Sequence, residues 1–451
     1  MSSTERLVEY IMSAIDKALP DEVAKSAKHH LLDTLAACVS GRCLPAGVAG
    51  ANYVRNGDAA GDSVVIGRRE RATPSYAALA NAMAAHADES DDTHELSKSH
   101  PGCSIVPTAL AVAQANGSSG TELLRAIVLG YDVGPRINMA LWPSFDAIRS
   151  QRRGTPGIAG MFGSASAAAA LRRLDEQRVR YLLSYVAQQV SGMNTWKRDL
   201  EHIEKSYVMG GWPSFGAFLA LSIVEAGWTG VNDVFSGDPN FFDVVGADPE
   251  PERMVEELGT RFEIVRTHIK RHAVGSPGQA PIQCLLAILT ERGWVDSDLE
   301  RIEVTLPAVL AHTVQKSRSM PDINLQYLLA TVVADGDFTF AAAHDHSRFN
   351  AWNEAGGDDR IVVIPDERMA PKRQAEVVVT SVTGESARLR LTSVLGSPDN
   401  PMTSADVVAK ATGLILPVLG AERAAQICDV VLALDTVNDL SALTSLLESV
   451  D

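Results

Sequence analysis

Apolar positions recur at helical spacing through the first 265 residues. Leu7, Ile11 and Ile15 lie one turn apart, and Pro20-Asp21-Glu22 stops that pattern and restarts it. The run from Ala24 to Val39 becomes apolar on every side (LLDTLAACV), which predicts a buried helix. Thr73 to His86 (TPSYAALANAMAAH) opens on a Thr cap with Pro at the first helical position. Alanine-rich runs at 107–115 and 164–171 predict helices that approach one another closely. Nothing repeats at a solenoid period, and no low-complexity tract interrupts the pattern.

The period changes near Arg266. RIEVTLPAV (301–309) alternates as a strand, and AEVVVTSV (375–382), the turn TGE and SARLRLTSV (386–394) predict a hairpin. Residues 280–290 and 325–333 keep the helical period between them. After the Pro398-Asp399-Asn400-Pro401 break the helical pattern returns at 405–411 and 421–434. The expected fold is mainly α: a large all-helical domain (1–265), an inserted smaller α+β domain (266–396), and helices at 397–451 that return to the helical domain.

Composition narrows the function. The 451 residues carry 40 Lys+Arg against 56 Asp+Glu, a net charge of −16 that argues against binding nucleic acid or an anionic membrane. No stretch approaches about 18 uninterrupted apolar residues, and the charged N-terminus MSSTERLVEYIMSAIDKALPDE lacks an apolar leader core. The five cysteines are widely spaced and form no CxxC, so neither a disulfide framework nor a structural zinc site is expected. The expected setting is cytoplasmic.

The densest chemistry lies at His86 to Gly102 (HADESDDTHELSKSHPG), between two apolar helices. Its acids and the histidines 86, 94 and 100 fit a metal site, an acid–base site or a solvated loop; no HExxH or EF-hand spacing favours the first. Gly157, Gly160 and Gly163 form GxxGxxG rather than a dinucleotide GxGxxG, and read as a turn entering a tightly packed helix. His344-Asp345-His346 reads as surface. Lys205 and Lys270 read alone as surface charges, with Lys270 at the expected domain junction, where ligand sites are common.

Taken in order, HADESDDT with HPGCSIVPTALAVAQ, VLGYDVGPRI, the small-residue helix after GMFG, EAGWTG, VVADGDF and GSPDNPMTSADVVAK resemble segments of the MmgE/PrpD family, which includes 2-methylcitrate dehydratase and cis-aconitate decarboxylase. The resemblance spans nearly the whole chain. It implies a helical domain and an α+β domain with the site in the cleft between them, a homodimer built mainly on the helices, and action on small di- or tricarboxylates with neither metal nor organic cofactor. It places His100, Lys205, Lys270 and Tyr327 in the catalytic set, and Asp91, Thr93 and Glu89 in the substrate lining. Tyr327 comes from NLQYLLATVVADG, where Asn324 replaces the serine of the family's Ser-x-x-Tyr.

Further positions depart from the family pattern: Glu89 stands where the family has its first loop aspartate, and Gly154 and Gly275 stand where a histidine is usual. Of the matched positions only His100 keeps an imidazole, the side chain suited to proton transfer near neutral pH. The lysines supply positive charge for the aci-carboxylate that forms when a proton leaves the neighbouring carbon. The implied function is a lyase, dehydratase or decarboxylase, acting by proton abstraction next to a carboxylate. An epimerase or isomerase of a dicarboxylate, such as an iminodisuccinate-like substrate, is the alternative. A non-catalytic polycarboxylate-binding protein and a metal-dependent hydrolase built on His86–His100 also remain open.

Overall fold

The computed structural model describes residues 1–57, 59–314 and 320–449. The chain is mostly helical with small sheets, and it divides into two compact units: Met1–Ala87, Asp91–Ile269 and Thr403–Asp451 form one, Asp88–Ser90 and Lys270–Met402 the other.

In the first unit, helices Ser3–Ser13, Asp21–Gly41, Pro45–Asn56, Pro74–Ala85, Gly102–Asn116, Gly120–Leu141, Thr155–Leu171, Glu176–Gln189 and Trp212–Glu225 are joined by Ser404–Leu419 and Ala421–Leu432 from the far end of the chain. Capping boxes start three of them: Ser2 with Glu5, Ser119 with Glu122, and Thr403 with Asp406 each exchange a side-chain and a backbone hydrogen bond. Thr73 does precede Pro74 at a helix start, but its side chain makes no cap hydrogen bond, so Pro74's fixed φ starts that helix instead. A two-residue ladder, β1 (Ser63–Val64) with β2 (Arg71–Ala72), interrupts the helices.

The GxxGxxG glycines lie inside Thr155–Leu171, not in a turn before it. They form a face of close backbone approach: a Cβ at Gly163 would stand 2.6 Å from the Gly130 carbonyl oxygen on Gly120–Leu141. The run Ile203–Glu225 is long and apolar enough by composition to cross a membrane, and 67% of its most apolar window is buried inside the protein, as for a core helix. It contains a π-turn, Tyr207–Gly211.

In the second unit a four-stranded sheet runs in the order β4-β3-β5-β6, with β3 at Leu299–Pro307, β4 at Ile361–Asp366, β5 at Ala375–Ser381 and β6 at Ser386–Leu391. β3 pairs parallel with β4 and antiparallel with β5, and β5 and β6 form the expected hairpin. The strand expected at 301–309 ends at Pro307, where a short helix Ala308–Ala311 begins. β5 shows the burial alternation of a one-sided sheet. Helices Gln279–Arg292 and Leu325–Asp335 cover that face through Leu285, Ile288, Leu328 and Val332, against Val304, Leu306, Val377 and Val379.

Candidate active site

The polar segment 86–102 is not a solvated loop. His86, Asp91, Asp92, His94 and Ser97 are all fully buried. Buried carboxylates must be paired, and here each is. Asp92 Oδ2 accepts from Tyr131 Oη at 2.6 Å and lies 2.7 Å from His30 Nδ1, while Oδ1 accepts from the Gly102 amide at 3.0 Å. That amide opens helix Gly102–Asn116, so the carboxylate also meets a helix N-terminus. Burial pushes Tyr131 well above the usual phenol range, so it stays an O–H donor. His94 bridges Ser97 Oγ (2.8 Å) and Glu263 Oε2 (3.2 Å). Burial alone would raise Glu263, but His94, Arg266 and Arg136 outweigh it and hold it at about 2. Thr93 is buried and fixed through its backbone, exchanging both hydrogen bonds with His268 at 3.0 and 2.9 Å.

Asp91 sits between two imidazoles. Its Oδ2 lies 2.7 Å from His86 Nδ1 and its Oδ1 3.2 Å from His100 Nδ1. The two rings meet edge to face with centroids 4.7 Å apart. The side chains of His86 and Asp91 are fully buried, whereas that of His100 is 15% exposed, so His100 is the accessible end of the network. Cys103, one turn beyond His100, points its thiol at the His100 carbonyl (3.1 Å). Lys205 lies in the short helix Ile203–Ser206 just before the π-turn, is 7% exposed, and holds its ammonium 5.6 Å from the Trp196 ring centre. Burial pushes the His86 imidazole down, and the His100 and Lys205 charges act in the same direction against Asp91.

The other predicted residues belong to the second unit. Lys270 is buried and donates to the Glu89 carbonyl at 3.0 Å and to Glu89 Oε2 at 3.5 Å. Next to Glu89, Asp88 Oδ1 accepts from the Ser90 amide and hydroxyl at 2.9 and 2.6 Å, and Oδ2 lies 3.4 Å from His344 Nε2. His344 is therefore part of a buried-acid pair, not a free surface residue; His346 is exposed, as expected. Tyr327 packs edge-on against Phe349 and Trp352, and its hydroxyl donates to the Ala342 carbonyl at 3.4 Å. Burial raises its pKa.

The two departing glycines differ. Gly154 donates its amide to the Gly192 carbonyl, and a Cβ there would stand 2.7 Å from Val208 Cγ1. Val208 thus fills the space a side chain at 154 would need. A Cβ at Gly275 would make only ordinary contacts, the nearest at 3.5 Å to Ile323.

One trio has the composition to hold an ion: His86, Asp91 and Cys103 each offer a ligand atom within 4.8 Å of the others. Their hydrogen bonds already account for the arrangement, since Asp91 faces two imidazole nitrogens and the Cys103 thiol faces carbonyl oxygens.

The MmgE/PrpD N-terminal domain matches residues 5–254 and the MmgE/PrpD C-terminal domain matches residues 272–436. The chain belongs to the MmgE/PrpD family. It is 26% identical to the cis-aconitate decarboxylase-like protein oryM of Aspergillus oryzae, over 98% of this chain and 97% of that one. It is 24% identical to the cis-aconitate decarboxylase of Homo sapiens, over 95% of this chain and 91% of that protein. The cis-aconitate decarboxylase of Aspergillus terreus is 22% identical, with 95% and 92% covered. Family and relatives together indicate a lyase-like enzyme of the decarboxylase or dehydratase kind.

Against the MmgE/PrpD motif, the structure groups Asp91 with His100 in the first unit and Glu89 with Lys270 in the second. Two histidines that motif reading left out contact acids of the polar segment: His86 on Asp91, whose signal was its place in the same segment, and His344 on Asp88, whose signal was the HDH triplet assigned to surface.

Proposed function

We propose that this MmgE/PrpD chain moves a proton at the carbon next to a carboxylate of a small di- or tricarboxylate, in a decarboxylation or dehydration, with His100 as the acid–base group. The observation that carries this reading is the orientation of His100. Nδ1 is engaged by a buried carboxylate and the ring is partly exposed, which leaves Nε2 for substrate. Decarboxylation breaks the bond to carbon dioxide and leaves an electron pair on carbon that takes a proton from His100. Dehydration removes a proton to His100 and expels the neighbouring hydroxyl, which needs a second donor; Tyr327 is the residue assigned to it. In both, negative charge grows on the carboxylate that is kept. Lys205 and Lys270 are the cations assigned to that charge, and a fixed cation aimed at developing charge is among the strongest catalytic devices. Glu89, Asp91 and Thr93 line the substrate. Epimerisation of a dicarboxylate is the second reading, favoured by the filled space at Gly154, where the family's usual imidazole has no room.

Incubation of the enzyme in deuterated water with a panel of di- and tricarboxylates, followed by proton NMR, separates these outcomes. Loss of carbon dioxide or water supports the first reading, and deuterium exchange with inversion the second. No change in any substrate overturns both and leaves a binding protein.

We also propose that the protein is a homodimer and that the α+β unit is inserted into the helical one. Large apolar and aromatic side chains exposed on the first unit support the dimer: Tyr53, Tyr207 and Leu219 are each at least 42% exposed, Tyr53 stacks on Tyr76, which meets Phe215, and Tyr207 packs on Trp212. Light scattering should give twice the chain mass of 48.2 kDa, and the single-chain mass at micromolar concentration would count against it.

A further inference from the structure

We propose that His86 is a positioning residue for His100: it holds the Asp91 carboxylate so that His100 keeps its Nδ1 on that carboxylate and presents Nε2 as the atom that exchanges the proton. This rests on the reading of His100 as the acid–base group.

An ionised carboxylate only accepts hydrogen bonds. With Asp91 facing both rings through Nδ1, each Nδ1 carries the hydrogen and each Nε2 a lone pair when the ring is neutral. The two Nε2 atoms then differ. That of His100 belongs to the partly exposed ring, whereas that of His86 is buried with no hydrogen-bond partner among the described residues. A protonated His86 would bury a second N–H with no acceptor among the described residues. Among the influences on it, burial is the largest and opposes its charge, as do His100 and Lys205, while Asp91 favours it. The Cys103 thiol, also close by, is directed at carbonyl oxygens, and the Cys38 thiol, which senses the Asp91 charge, bonds the Asn81 carbonyl.

A neutral His86 with its Nε2 buried and no hydrogen-bond partner for it among the described residues is not placed to serve as a second acid or base. It donates one fixed hydrogen bond to Oδ2 and so turns Oδ1 toward His100. Its ring, edge to face with His100, also blocks rotation of that ring. Its own backbone is tied down. The His86 amide closes the helix Pro74–Ala85 on the Ala82 and Ala84 carbonyls, and its carbonyl accepts from Ser206 Oγ at 2.5 Å, next to Lys205.

The test uses two readouts on the full-length protein. Long-range ¹H–¹⁵N spectra of histidine-labelled enzyme report the tautomer of each ring without any need for turnover. Wild type should show His86 and His100 both with hydrogen on Nδ1. His86→Leu should release His100 to a tautomer mixture, cut kcat/KM on the order of 10²-fold, as small misplacements of a reacting group do, and shift the limb of its pH profile that reports His100 upward, because Asp91 would give its whole charge to His100. His86→Asn places an amide N–H near the old Nδ1 and should restore the tautomer, the limb and most of the rate. Wild-type rings with hydrogen on Nε2, a His86→Leu variant with unchanged His100 tautomer and pH limb, or an Asn variant as impaired as Leu would each overturn the assignment. If His86→Leu does not fold, the wild-type and Asn spectra still decide. If the tautomers are as expected but no carboxylate turns over, the positioning geometry stands and the proposed reaction falls.

Discussion

Replacing Asp92 by Asn keeps the side chain's shape and removes its charge, and the structure says what that costs. The carboxylate meets Tyr131 Oη, His30 Nδ1 and the Gly102 amide at 2.6, 2.7 and 3.0 Å. Hydrogen bonds to a charged group contribute about 1.5–3 kcal/mol each and neutral ones about 0.5–1.5. An amide oxygen at the Oδ1 position keeps the Gly102 contact. The new NH₂ then faces the Tyr131 hydroxyl and His30, both of which must turn to accept. Three charged bonds become three neutral ones, a loss of about 3–5 kcal/mol, and relief from burying a full charge returns part of it. The net expectation is about 2–4 kcal/mol. The effect is local, so hydrogen exchange is the suitable assay. Amides of the segment 92–102, which include the Thr93–His268 and His94–Ser99 pairs, should exchange on the order of 10²-fold faster, one decade per about 1.4 kcal/mol. Because Asp92 touches neither His86 nor His100, the pH dependence of kcat/KM should not move. Exchange at the wild-type rate in Asp92→Asn would refute the view that this carboxylate fastens the segment to its helices.

Lys205→Met and Lys270→Met should each lower kcat along with affinity, by about 2–4 kcal/mol in kcat/KM, and Lys270→Arg should not restore the rate fully; unchanged kinetics in both Met variants would remove the lysines from the site. His29, 6% exposed, is lowered to about 4 by burial, aided by His30, Lys25 and Lys28. Unfolded His29 therefore binds a proton below about 6.5 while folded His29 does not, and stability is lost as pH falls from there toward 4, by up to about 3 kcal/mol. His29→Gln should flatten the fall in melting temperature between those limits, against the opposite trend of Asp132, which burial raises to about 6. Dialysis against a strong chelator should leave activity intact; loss restored by a divalent ion would make His86, Asp91 and Cys103 a metal site. Gly275→His should fold as wild type does, whereas Gly154→His should melt lower because Val208 must move.

Period carried most of the fold. Ala24–Val39 lies within Asp21–Gly41, and the TGE turn joins β5 to β6. The strand β4 escaped because IVVIPD is short and contains Pro365, which an edge strand tolerates. The burial of residues 86–94 escaped for an electrostatic reason. A run of acids reads as solvated until the partners that neutralise it are known, and those partners, His30, Tyr131 and Lys270, come from distant parts of the chain. The motif resemblance located Asp91 and His100, but spacing alone cannot tell that two histidines fourteen residues apart share one carboxylate.

The three residues Asp88–Ser90 group with the second unit although their neighbours on both sides group with the first. This limits how the protein can be recombined. A chimera that takes residues 270–402 from a relative and the rest from this chain would pair one parent's Lys270 with the other parent's Glu89, and one parent's His344 with the other's Asp88. A fragment of residues 270–402 alone would lose the Glu89 carbonyl and carboxylate that receive a buried ammonium, and would strand that charge. The unit of exchange between relatives is therefore residues 270–402 together with a tripeptide encoded some 180 codons upstream.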